Sequence, residues 1–400
     1  MASQEKSDKH TEDSPPKTTN RHLRHTLPFL TAFRFIHISR FAMEIRRIFE
    51  NRIFNRENII RMLECRGEEE ACLYEYAGNL RKKTLGNYVY LRGLVEISNH
   101  CRKNCLYCGI RRDNSRASRY SLSDAEIIEA AEKAYVRNYG SIVLQGGEIC
   151  SPEFTHRMEE LIRKIKKIGS RPLGITLSLG EQNEETYRRW FAAGAHRYLL
   201  RIESSNRNIF RDIHPADALH SYETRLDCIK NLQKCGYQTG TGVMIGLPGQ
   251  NTEDLCNDLM FIRENDIDMV GMGPYIEHSD TPLYAKRTTL LSPDERLKTA
   301  FHMIAAIRIL MPDINIAATT ALQALHPLGR EKAVSIGANV IMPNLTSPIQ
   351  CNAYKLYENK PETDEGSTLK ELEKNLRKTG YEIKYSAWGD SLRFKKRVHF

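Results

Sequence analysis

YVYLRGLVEISNHCRKNCLYCG, residues 88–109, joins the two features from which the rest of the chain is read. Its first half, YVYLRGLVEIS (88–98), is rich in β-branched and aromatic residues and reads as a strand. Its second half sets Cys101, Cys105 and Cys108 in a Cys-x3-Cys-x2-Cys spacing, with Tyr107 just before the last thiol. Three of the ten cysteines thus fall within eight residues. The other seven (Cys65, Cys72, Cys150, Cys228, Cys235, Cys256 and Cys351) are scattered. This is no disulfide scaffold; it reads as a chain of a reducing compartment with one dedicated ligand set. A structural zinc site wants a further nitrogen or sulfur donor. His100 is adjacent, but immediate neighbours seldom converge on one metal. A four-iron cluster held by three thiolates leaves one iron open. The bland alternative is three buried thiols brought together by chance.

Beyond residue 98, strand-like and helix-like stretches alternate. SDAEIIEAAEKAYVRNYG (123–140) reads as a helix with Ser123 and Glu126 as a capping box. SIVLQ (141–145) is a second strand, PLGITLSLG (172–180) a third, HRYLLRIES (196–204) a fourth and YQTGTGVMIG (237–246) a fifth. DMVGMGP (268–274), INIAATT (314–320) and NVIMPN (339–344) complete the set, with a short helix expected near 321–336 and a last one near 368–379. Eight strands alternating with helices over about 250 residues predict an α/β fold of the (β/α)8 barrel type. A doubly wound open sheet is the runner-up. Helical spacing over 43–85 predicts N-terminal helices before a barrel at 86–345, with a C-terminal segment at 346–400.

Forty per cent apolar and 27% charged residues suit a globular chain, and the net charge of +9 is spread along it. Nothing in that spread points to nucleic acid; a small anionic substrate fits as well. No apolar run reaches membrane-spanning length. Residues 14–42 are basic, hydroxyl-bearing and free of acids, like an organelle presequence, although acidic residues precede them. Residues 1–42 therefore read either as a targeting segment, placing the protein in an organelle matrix, or as an extension to a cytoplasmic protein.

Polar residues recur at the expected strand ends. Gly146, Gly147 and Glu148 follow the second strand; Gly-Gly there is ordinarily just a turn. Ser178 ends the third. Arg201 and Glu203 end the fourth, where a structural ion pair is the plain alternative, and Arg225 follows on the next helix. Met244 stands in the glycine-rich close of the fifth strand. Such groups suit ribose hydroxyls and a carboxylate. Cys150 reads as a small buried thiol.

Taken in order, ISNHCRKNCLYCGIRRDN, LQGGE, ITLSLGE, YLLRIE, MIGLPGQNTEDL, IDMVGMGPYIEHSDTPL, NIAATTAL and GANVIMPNLTS resemble the HydE family of radical S-adenosylmethionine (SAM) enzymes, maturases of [FeFe]-hydrogenase. The resemblance covers about residues 43–400. It implies one [4Fe–4S] cluster on Cys101, Cys105 and Cys108. SAM would chelate the open iron, near Tyr107, Gly146, Gly147, Glu148, Ser178, Arg201, Glu203, Arg225 and Met244, and be split to a 5′-deoxyadenosyl radical. It further implies attack on a sulfur of a small anionic iron–carbonyl–cyanide precursor of the diiron subcluster, in a cavity lined by Arg197, Met269, Thr319, Thr320, Met342 and Tyr354. The implied partners are an electron donor and the other maturases, including the GTPase scaffold. Methylornithine synthase, an amino-acid mutase of the same superfamily, is the nearest competitor; a structural iron–sulfur or zinc protein is the non-enzymatic one. Some family members carry further cysteines near the C-terminus, whereas YENKPETDEGSTLKELEK (357–374) has none. One cluster is therefore expected.

Overall fold

Eight parallel strands, most of their residues buried, close into a ring. They are β1 (Tyr88–Ser98), β2 (Ser141–Gly146), β3 (Gly174–Ser178), β4 (Arg197–Leu199), β5 (Gln238–Thr241), β6 (Met269–Val270), β7 (Asn315–Ala318) and β8 (Val340–Ile341). Each pairs in parallel with the next, and β8 returns to β1 through Tyr90–Val340 and Leu91–Ile341. That last ladder makes the sheet a barrel and excludes the open doubly wound sheet. The computed structural model describes residues 40–361 and 366–398. The reading of 1–42 as a targeting segment or extension falls almost wholly outside the described residues.

Local chemistry starts the helices where the sequence suggests. Ser123 and Glu126 form the capping box reciprocally ahead of Asp124–Val136, and Ser292 with Glu295 does the same for Pro293–Leu310. The latter helix is buried over most of its length. It has to be, because two N-terminal helices, Arg56–Glu64 and Glu68–Leu85, pack on it from outside the barrel.

Three expectations change. The fourth strand stops at Leu199; beyond it Glu203, with a φ of +67° that few non-glycine residues adopt, keeps only an isolated bridge to Val243. The fifth and sixth divide together: Gln238–Thr241 and Met269–Val270 stay in the barrel, while Met244–Ile245 and Gly273–Pro274 pair in a separate short ladder. The helix near 321–336 is two helices, Thr320–Leu325 and Gly329–Ile336, because Pro327 disfavours helical backbone at His326.

The C-terminal residues close the bottom of the barrel. Glu382 and Ile383 pair with Tyr88 and Val89. Past them, Trp388 donates from its indole N–H to the Pro172 carbonyl at 2.7 Å and packs on the His196 ring. The Gly389 carbonyl accepts from Arg92 and Asn315. The Asp390 carboxylate accepts from Arg197 Nη1 at 2.6 Å and Gln238 Nε2 at 2.7 Å. Burial opposes ionisation of Asp390, but the bonds and charges of His196, Arg197 and Gln238 outweigh it and hold the carboxyl well below its usual range.

Asp390 is thus the counter-charge for a buried guanidinium. Asp390→Asn should cost about 3–5 kcal/mol, read by urea unfolding at neutral pH. Because the folded pKa is depressed, this contribution is present above the unfolded carboxyl value and is lost as pH falls through the folded one. The gap between the two proteins should therefore shrink in strong acid.

Candidate active site

The C-terminal ends of barrel strands face one another, so whatever they carry is gathered in one place. Here they surround a cavity of about 330 Å³, within the range for small-molecule sites. Cys101, Cys105 and Cys108 border it on the loop after β1. So do Tyr107, Gly146, Gly147, Glu148, Ser178, Arg201, Glu203, Arg225 and Met244, and also Thr319, Thr320, Met342 and Tyr354.

The cysteine loop is fastened to the loop after β2. Gly147 N–H donates to the Ser98 carbonyl at 2.9 Å, Arg102 N–H to the Glu148 carbonyl at 2.9 Å, and Glu148 N–H to Cys101 Sγ at 3.3 Å. A Cβ on Gly147 would lie 2.2 Å from the His100 carbonyl oxygen, so only glycine allows this approach. Burial raises all three thiols, Cys105 to about 12, so a bound metal must itself draw off their protons. Among the described residues no three His, Cys, Asp or Glu side chains converge as they would around a single metal ion. Three thiols along one cavity wall instead suit ligands to separate irons of a cluster. The donor set and the space beside it fit a cluster better than a closed zinc site.

Behind the cysteines runs a buried charge network that the strand-end reading only half anticipated. Glu148 accepts from Arg102 Nε at 2.8 Å and from Glu181 N–H at 2.7 Å. Glu181 accepts from Lys103 Nζ at 2.6 Å and Arg225 Nε at 2.5 Å. Burial disfavours the Glu181 anion, but Arg225 and Lys103 more than compensate and lower its pKa. Arg225 also donates to the Arg201 carbonyl at 2.6 Å. Lys103 and Glu181 escaped the sequence reading; a lysine between cysteines and a glutamate after a glycine carry no pattern that marks them.

Arg201 and Glu203 form the ion pair that was the plain alternative. Arg201 Nε is 3.0 Å from both Glu203 oxygens, and its Nη1 and Nη2 donate to the carbonyls of Gly271 and Val243. The pair nevertheless borders the cavity, and the unusual Glu203 backbone aims its carboxylate there.

Of the six residues expected to line the substrate cavity, two lie elsewhere. Arg197 points into the barrel floor, bound to Thr176, Trp388 and Asp390. Met269 lies in the same lower layer, its sulfur accepting from Arg92 at 3.2 Å. Neither borders the cavity. The side chain of a residue at the start of a short strand faces the floor, a depth that sequence spacing does not report. The Thr319 hydroxyl is engaged with the Met272 carbonyl, and that of Thr320 with Tyr357 at 2.8 Å. Cys150 is exposed, not buried, with its thiol on the Glu181 carbonyl at 3.1 Å.

Residues 95–262 match the model of the Radical SAM superfamily. The [FeFe] hydrogenase maturase subunit HydE of Thermotoga maritima is 44% identical over 320 residues, 79% of this chain and 88% of that protein. The chain belongs to the HydE family. It is a radical SAM enzyme. 3-Methylornithine synthase of Methanosarcina acetivorans is 26% identical over 336 residues, covering 82% of this HydE-family chain and 91% of that protein. The X-ray structure of the FeFe-hydrogenase maturase HydG from Carboxydothermus hydrogenoformans has the same fold, with a TM-score of 0.73 at 19% identity, over 89% of this chain and 81% of that one. Among the described residues no helix is long and apolar enough to cross a membrane.

Glu181→Gln should remove the shared anion of two buried cations. Urea unfolding should show a loss of about 3 kcal/mol. Glu203→Gln, whose partner keeps two carbonyl acceptors, should lose less stability than that while still weakening SAM binding in calorimetry.

Proposed function

We propose that this HydE-family chain acts in assembly of the [FeFe]-hydrogenase H-cluster, on a sulfur-bearing iron–carbonyl–cyanide precursor of its diiron subcluster. The observation that carries the reading is that one cavity is bordered by two chemically different sets of residues. One set is three thiols, the Gly146-Gly147-Glu148 turn and the charges of Arg201, Glu203 and Arg225. The other is Met342, Thr319, Thr320, Tyr354 and Tyr357, soft or hydroxyl-bearing groups suited to a small metal complex.

In this reading Cys101, Cys105 and Cys108 hold a single [4Fe–4S] cluster. When bound there, a cluster would supply the electron for reductive cleavage of SAM. The chain's own residues bind and orient. Backbone groups of 146–148 would hold the methionine amine, Ser178 and Glu203 would partner ribose hydroxyls, and Met244 would pack on the adenine. An electron donor and the other maturases, including the GTPase scaffold, complete the pathway, which on this reading is cytoplasmic.

Anaerobic reconstitution should give about four irons per chain, and Cys105→Ser should lose the intact cluster, read by iron analysis and EPR. The functional test is complementation of a strain that lacks its own HydE but keeps the hydrogenase and the other maturases. Active hydrogenase that depends on Cys105 is expected. No rescue, with lysine converted to methylornithine in vitro, would move the assignment to the amino-acid mutase.

A further inference from the structure

The loop after the helix Pro348–Ala353 supplies one wall of the cavity. Tyr354, Leu356, Tyr357 and Lys360 all border it. This wall segment is irregular backbone, so its shape must come from contacts rather than from a ladder. Four contacts are present. Leu356 accepts from the Gly109 N–H, at the end of the cysteine loop. Tyr357 meets Thr320. Glu358 ties to the 277–279 turn through its N–H and carboxylate. The last contact is different in kind, because it is charged and buried.

Lys360 Nζ donates to Glu96 Oε1 at 2.6 Å. It also donates to the carbonyl of Tyr354 at 2.8 Å and reaches that of Cys351 at 3.5 Å, gathering its own segment around one ammonium. Glu96 stands near the end of β1, and its side chain is 1% exposed against 6% for Lys360. Its other oxygen accepts from Asn344, just past β8. The pair therefore pins the wall segment to both strands at which the barrel closes.

Stability alone is a poor reason for such a pair. Removing two charges from water costs much of what their attraction returns, and apolar residues of similar size often serve as well. What a buried pair does supply is one arrangement in preference to others. The geometry points to Glu96 and Lys360 as a positioning pair that fixes Tyr354 and Tyr357 where they border the cavity. The acceptors of the ammonium are Glu96 and two carbonyls of its own segment, so the pair shapes the wall through them. This inference rests on the proposed function for what the wall encloses, but not for how the wall is held.

The test uses the full-length, reconstituted protein. A single substitution would strand the partner charge and could unfold the chain, so the informative variant is the double one, Glu96→Gln with Lys360→Met. Amide exchange over 351–361, followed by mass spectrometry, should speed up about tenfold or more, with the barrel strands unchanged. Affinity for SAM should stay within about twofold, because neither side chain of the pair is bonded to a residue assigned to SAM. In a maturation reaction, the 5′-deoxyadenosine released per active hydrogenase formed should rise about fivefold, since a badly held substrate wastes radicals. Unchanged exchange in a folded double variant would overturn the proposal. So would faster exchange with an unchanged ratio, which would leave the pair a brace without effect on chemistry. If wild-type protein forms no hydrogenase at all, the functional reading falls, and the exchange measurement alone decides whether the pair holds the wall.

Discussion

Glu181 carries two buried cations on one carboxylate, and the site is organised around that fact. Lys103 comes from between the first two cysteines, and Arg225 from the helix after β4. Through Glu181 N–H the network continues to Glu148, and so to the turn that packs against Cys101. Three separate loops are thereby locked at one depth. A neutral residue at 181 would leave two cations facing each other in a medium that screens them poorly.

The floor of the barrel repeats the logic with other residues. Asp390 neutralises Arg197 there, as Glu181 does for Arg225 above. Arg92 and Arg197 repel one another, and burial pushes both guanidinium pKa values down. The C-terminal segment is therefore no loose appendage: it brings the anion and the carbonyls without which the lower layer could not be closed. Charge is thus settled at both ends of the barrel.

Those two layers leave the cavity asymmetric. Beside the cysteines it carries fixed charges whose partners are protein groups. The segment after Ala353 adds the Glu96–Lys360 pair and the hydroxyls of Tyr354 and Tyr357. The Glu203 backbone, bent out of the ordinary strand conformation, borders the same cavity.

Much of this was legible before any fold. The alternation of strands and helices, the capping box at Ser123, and the Cys101–Cys105–Cys108 spacing are local properties, and local chemistry decides them. Strand-end polar residues were legible too, because a barrel gathers strand ends whatever their sequence separation. What only the tertiary structure decided is depth and pairing. Arg197 and Arg201 sit four residues apart on one strand and its extension, yet one points to the floor and the other to the cavity. Glu181 with Arg225, and Glu96 with Lys360, are 44 and 264 residues apart in sequence. No local pattern encodes such partners. They meet because the ring closes, and a buried charge must then find its counter-charge among whatever closure brings near.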